Sequence, residues 1–164
     1  MSPWTVREAT QDDVAEIVAM VHDLAAYEKS AAECALSPEQ LSAALFGANP
    51  ALFGHVARQP EDDRVVGFAL WFLNYSTWRG VHGVYLEDLY VRPEARRGGA
   101  ARALLSRLAA ICVERGYARL EWSVLDWNTP ARDAYHAMGA APLTEWVPYR
   151  LDGEKLTQLA KDAS

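Results

Sequence analysis

Between Tyr85 and Ala101 the chain reads Tyr-Leu-Glu-Asp-Leu-Tyr-Val-Arg-Pro-Glu-Ala-Arg-Arg-Gly-Gly-Ala-Ala. Two kinds of chemistry meet in this stretch. Glu87 and Asp88 are consecutive acids inside the otherwise apolar run Val84 to Val91. Burying a carboxylate needs compensation, so at least one of the pair is read as functional. Strand alternation sends the two to opposite faces. The run then enters a loop with Arg96, Arg97, Gly98 and Gly99, and a helix starts at once. A helix start leaves backbone N–H groups unpaired and carries partial positive charge. Two glycines let an anion approach those groups, the small Ala100 and Ala101 extend the approach, and the arginines add charge. A pyrophosphate cradle fits this pattern, and so does a plain left-handed turn with solvated arginines. It is neither a Walker loop nor the GxGxxG of dinucleotide folds.

The elements around this segment alternate. Trp4 to Glu8 has strand alternation. Thr10 offers a helix cap ahead of the stripe Val14, Ile17, Val18, Val21, Leu24 and Ala25. Ser37-Pro38-Glu39 opens a second helix through about Phe46, with proline in the first helical position. Strands are expected over 51–58 and 64–74, joined by the turn Pro60-Glu-Asp-Asp63, and over 83–92. The helix after the glycine loop carries Ala101, Leu104, Leu105, Leu108, Ile111 and Cys112 on one face and ends at Gly116. A strand over 119–125 follows, then a helix from Thr129-Pro130 to Gly139. Two short strands over 141–143 and 147–151 and a C-terminal helix complete the order βααβββαβαββ(α). This order predicts an α/β sheet with helices on both faces. With 164 residues, no repeat and no linker, the chain reads as a single domain over 1–164.

Composition narrows the partners. Apolar residues make up 51% of the chain, and six Trp and seven Tyr are enough to wall a pocket. The formal charge of −6 disfavours nucleic acid and favours a cationic ligand. Cys34 and Cys112 have no metal or redox spacing, so no metal site and two reduced, buried thiols are expected. The first residues lack the pattern of a signal peptide, and no apolar run reaches the ~18 residues of a membrane span. A cytoplasmic protein with no membrane contact is the expectation.

The run Arg96-Arg-Gly-Gly-Ala-Ala101 resembles the acetyl-CoA loop of the GNAT N-acetyltransferase superfamily, whose pattern is Gln/Arg-x-x-Gly-x-Gly/Ala. Leu24-Ala-Ala-Tyr-Glu-Lys29, Tyr85-Leu-Glu-Asp88, Val124-Leu-Asp-Trp-Asn128 and Tyr135 with Gly139-Ala140 are similar to the diamine (spermidine/spermine) and thialysine N-acetyltransferase branch. Tyr75-Ser-Thr-Trp-Arg-Gly80, Leu125-Asp-Trp-Asn128 and Leu143-Thr-Glu145 resemble its thialysine side more closely. The similarity spans essentially the whole chain and is weakest after Glu145.

The resemblance implies the GNAT fold, a mixed, mostly antiparallel central sheet flanked by helices and splayed at the CoA slot. It implies acetyl-CoA as co-substrate, a small-molecule amine as acceptor and a homodimer. Leu89, Tyr90 and Val91 would offer backbone to the pantetheine arm. Arg96 and the run Arg97, Gly98, Gly99, Ala100, Ala101 and Arg102 would wrap the pyrophosphate. Asn128, Pro130 and Ala131 would line the other side of the slot. The branch carries an acid at the position of Ser76 and another at that of Val147, and has an aromatic where Tyr149 stands. Losing both acids favours an amine shorter than spermine.

An amine attacks only when neutral. A lysine-like amine is neutral in roughly one molecule in 2500 at pH 7, a cost of about 4.6 kcal/mol. Carboxylates both recruit the cation and take its proton. The resemblance selects Glu87 as the residue that relays the proton through water, with Asp88 as a substrate contact. Glu28 extends the stripe of the first helix and is either a pocket edge or a solvated helix end. Glu33 is either a substrate contact or a solvated loop acid. Tyr27, Trp78 and Trp122 offer faces for a cation, although Trp122 shares a strand face with Leu120 and Val124, as a core residue would. Tyr135 is either a core tyrosine or, as the resemblance implies, the acid that protonates the departing CoA thiolate. Direct transfer in a ternary complex follows from that assignment. Acetylation of a protein or peptide amine, and non-catalytic sensing of acetyl-CoA, are the competing functions.

Overall fold

The computed structural model describes residues 3–163. They form two compact units, one running to Leu125 and one from Asp126 onward. The first unit is built on a five-stranded sheet in the order β1 (Thr5–Glu8), β2 (Phe53–Arg58), β3 (Val65–Ser76), β4 (Val81–Val91), β5 (Leu120–Trp122). The first three pairings are antiparallel and the last is parallel. The expected mixed, mostly antiparallel sheet is therefore present.

Helices α1 (Val14–Tyr27) and α2 (Pro38–Phe46) cover one face. Ile17, Met20 and Leu41 pack there with Phe68, Leu70 and Tyr90 of the sheet. Helix α3 (Ala100–Arg115) covers the other, turning Leu104 and Leu108 fully inward. Each such buried aliphatic side chain stabilises the fold by roughly 1.5–3 kcal/mol. The helix starts obey local chemistry. Ser37 and Gln40 form a reciprocal capping box with Pro38 in the first turn of α2. Ahead of α1, Thr10 and Asp13 form another such box around a short 3-10 turn, so the helix proper begins at Val14 rather than at Gln11. Gly116 closes α3 with φ +70°, a conformation that favours glycine.

Two expectations change. β5 covers three residues rather than the stretch 119–125. Its ladder with β4 stops at Leu86↔Trp122, at the point where β4 deforms. In the second unit, α4 (Thr129–Ala137) and α5 (Gly153–Ala160) are present, but the strands expected over 141–143 and 147–151 are not. Pro142 and Pro148 each remove a backbone donor from those segments, and a strand that cannot donate along its length holds a ladder poorly. Among the described residues no helix is long and apolar enough to cross a membrane.

Candidate active site

The chemistry centres on a break in β4. Leu70 pairs with Asp88 and its neighbour Trp71 pairs with Leu86, so Glu87 is an extra residue in the strand, a β-bulge. The bulge interrupts the simple alternation. Leu86 shares the α3 face with Trp71, whereas Asp88 shares the α1 face with Leu70. β4 continues five residues past Leu86, from Glu87 to Val91, with no strand paired on its β5 side among the described residues. The sheet is splayed there, along Leu89, Tyr90 and Val91.

Asp88 is half-buried and has no ion-pair partner among the described residues. Burial, reinforced by the nearby charges of Glu87 and Glu28, pushes its carboxyl up to about 6. Glu28 caps the C-terminus of α1, and burial raises its pKa too. The structure thus joins Glu28, Glu87 and Asp88 into one acidic hollow, and none of the three forms an ion pair among the described residues. Glu33 ends a short 3-10 turn beyond α1 and is exposed.

The loop after β4 has its own division of labour. Arg97 adopts φ 64° and Gly99 φ +91°, so the backbone turns sharply into α3. Left-handed residues on either side of Gly98, at a helix start, turn successive N–H groups into a concave set suited to an anion. A Cβ on Gly99 would meet only the Trp4 Nε1, at an ordinary contact of 3.8 Å, while a Cβ on Gly98 would meet the Trp4 ring at 2.9 Å. Trp4 also donates its indole N–H to the Gly98 carbonyl. Gly98 is therefore required by the Trp4 packing, and Gly99 leaves the approach open. Ala100 points into the core, Ala101 is half-buried, and Arg97 and Arg102 are exposed. These residues fit a CoA diphosphate.

Arg96 differs from its neighbours. Its guanidinium lies 5.5 Å from the Tyr27 ring centre and 5.4 Å from that of Tyr90, and its Nε donates to the Val91 carbonyl at 2.9 Å. Tyr27 does offer a face to a cation, and the cation is Arg96. Trp78 is 93% exposed at the tip of the β3–β4 hairpin, six residues along β4 from Glu87, or roughly 20 Å. Trp122 pairs with Leu86 and so lies on the α3 face, away from the acids. Neither tryptophan joins the acidic hollow. Ser76 is buried at the hairpin end and accepts the Arg79 N–H, a turn contact. In the second unit Asn128 precedes α4, Pro130 and Ala131 sit in its first turn, and Tyr135 follows one turn later, half-buried.

Sequence reading did not find the bulge or the two-tyrosine clamp. Two adjacent acids in an apolar strand were the available sign of the first, and nothing local signals the second.

A splayed β4 with a bulge, leading into a glycine-bearing helix start, agrees with what the comparisons find. The acetyltransferase (GNAT) family model matches residues 17–140. The chain belongs to the GNAT acetyltransferase family. It is 38% identical to the thialysine N-epsilon-acetyltransferase of Bos taurus, over 94% of this chain and 96% of that protein. It is 34% identical to the Caenorhabditis elegans protein of the same name, over 99% of this chain and all of the other. Among solved structures, an integron cassette protein from the mobile metagenome of V. cholerae superimposes with a TM-score of 0.80 at 25% identity, covering 99% of this chain. This GNAT protein is an N-acetyltransferase, which transfers an acetyl group to an amine.

Proposed function

We propose that this chain moves the acetyl group of acetyl-CoA to the primary amine of a small cationic metabolite, a thialysine or lysine-like amino acid or a diamine. The observation that carries this reading is the acidic hollow of Glu28, Glu87 and Asp88 at the bulge, beside a strand edge that no described strand pairs with beyond Leu86. Its fit to a cation is chemical, because an ammonium group would supply the charge that Asp88 lacks. The names of the relatives point to the same class.

Acetyl-CoA supplies the acetyl group as a thioester. Arg97, Gly99, Ala101 and Arg102 hold its diphosphate at the start of α3, and the exposed edge of Leu89, Tyr90 and Val91 aligns its arm. Asp88 and Glu28 draw in the ammonium. Glu87 takes its proton through water, and the neutral nitrogen then forms the C–N bond as the C–S bond breaks. A backbone N–H near Leu89 receives the negative charge that develops on the carbonyl oxygen. Tyr135 returns a proton to the departing sulfur. A thiol is more acidic than a tyrosine, so this proton moves only as charge builds on sulfur. The family match crosses from the first unit into the second, which supports reading both as parts of one acetyltransferase domain.

The test is to incubate the protein with acetyl-CoA and thialysine, lysine, diamines, polyamines and peptides while following CoA release. Release with a small amine and not with peptides is expected. Release with none of them would end this reading. Tyr135→Phe is expected to lower kcat roughly a hundredfold. Unchanged turnover would remove its role.

A further inference from the structure

The turn into α3 is pinned from outside at two points. At its start, Arg96 lies between the Tyr27 and Tyr90 rings and donates to the Val91 carbonyl. Two residues later, Trp4 donates its indole N–H to the Gly98 carbonyl across 94 positions of sequence. Trp4 directly precedes β1, the edge strand of the sheet. Gly98 lies outside the set of residues with positive φ, unlike Arg97 and Gly99 on either side. Its backbone conformation therefore does not call for glycine. What excludes a side chain there is the Trp4 ring, 2.9 Å from where a Cβ would stand.

The bond to the Gly98 carbonyl has a consequence on the far side of the same peptide. No peptide bond among the described residues is cis, so the Gly98 carbonyl and the Gly99 N–H point in opposite directions. With the carbonyl turned onto Trp4, the Gly99 N–H is aimed away from it. Neither the Gly98 nor the Gly99 N–H donates to a backbone carbonyl among the described residues. Gly99 is also the cap of α3, so its N–H stands at the positive end of a 16-residue helix. Two glycines in a row would otherwise let this peptide plane turn over at little cost. The indole bond removes that freedom before any ligand arrives, which lowers the ordering cost of binding.

We propose that Trp4 is a positioning residue for the co-substrate: its indole holds the Gly98 peptide so that the Gly99 N–H meets the diphosphate of acetyl-CoA. The inference rests on the acetyl-CoA reading above and deepens it. Arg96 fixes the loop at its first residue and Trp4 fixes it at the turn. A residue ahead of the first strand, far from the loop in sequence, thereby tunes affinity for the nucleotide half of the co-substrate.

A tryptophan that only fills space would not need its N–H. Trp4→Phe keeps a ring at the site and removes the donor. It is expected to raise the calorimetric Kd for CoA roughly tenfold, the size of one lost hydrogen bond. With acetyl-CoA its kcat/KM is expected to fall by the same factor. With S-acetylpantetheine, which has the thioester but no diphosphate, it is expected to keep the wild-type value. The KM for the amine is expected to stay unchanged. Gly98→Ala is expected to weaken CoA binding in the wild-type background and to add little to Trp4→Ala, where the ring it strikes is gone. In the wild-type protein, CoA is expected to shift the NMR signals of the Gly99 amide and the Trp4 indole together. A Trp4→Phe protein that binds CoA as tightly as the wild type would overturn the inference. So would equal losses with acetyl-CoA and S-acetylpantetheine, or a Trp4 indole signal that CoA leaves in place while it binds. A wild-type protein that binds no CoA would overturn the proposed function, and this inference with it.

Discussion

Two aspartates on the α1 side of the molecule show opposite solutions to burial. Asp13, at the junction of β1 and α1, is only 4% exposed. Arg7 grips both of its oxygens, at 2.6 and 3.0 Å, and the Thr10 N–H donates to it at 2.7 Å. Burial works against its charge, but the hydrogen bonds from Arg7 and Thr10 together hold the carboxyl below its usual range. Asp88, at the β4 bulge, is less buried yet has the opposite fate. It forms no ion pair among the described residues, and two further acids stand nearby. A carboxylate whose needs are met inside the chain serves the fold. One whose needs are left open is waiting for a ligand.

The comparison is sharpest under substitution. Asp88→Asn is expected to lower kcat/KM for the amine roughly a hundredfold, while Asp13→Asn leaves the turnover of folded protein unchanged. Equal losses from both would break the distinction. In stability the order reverses. Asp13→Asn is expected to cost about 2 kcal/mol, because it leaves a half-buried Arg7 without its partner. Asp88→Asn is expected to stabilise the protein at neutral pH, on the order of 1 kcal/mol, by removing a charge that burial opposes. Chemical denaturation of the two variants reads both signs.

The signs also differ with pH. The folded pKa of Asp13 lies below its unfolded value, so its contribution is present above the unfolded value and is lost as the pH falls through the folded one. The pKa of Asp88 is raised, so its ionisation penalises the fold only as the pH rises from the ordinary carboxylate range through about 6. The gain from Asp88→Asn is therefore expected to vanish below that range. The smallest predicted effect is kinetic. The wild-type pH profile of kcat/KM is expected to carry a limb near 6, absent in Asp88→Asn.

How far the sequence carried differs between these regions for the same physical reason. The caps at Thr10 and Ser37, the proline at 38 and the glycine stop at 116 are local chemistry, and the helices begin and end close to where those residues place them. The turn from Arg96 into α3 was legible because glycines ahead of small residues mark a sharp turn into a helix start. The bulge at Glu87 was not, because it is a mismatch of register between β3 and β4 that neither strand encodes alone. The Tyr27–Arg96–Tyr90 stack depends on how α1 lies against the sheet. The strands expected over 141–143 and 147–151 are opposed by Pro142 and Pro148.

The central claim is that the hollow at the β4 bulge lacks a cation until the acceptor amine arrives. Titrating the Asp88 carboxyl carbon by NMR, with and without saturating amine, tests it directly. The account predicts a midpoint near 6 in the free protein, moving down into the ordinary carboxylate range when the amine binds. An ordinary midpoint in the free protein, or one that the amine leaves in place, would contradict it.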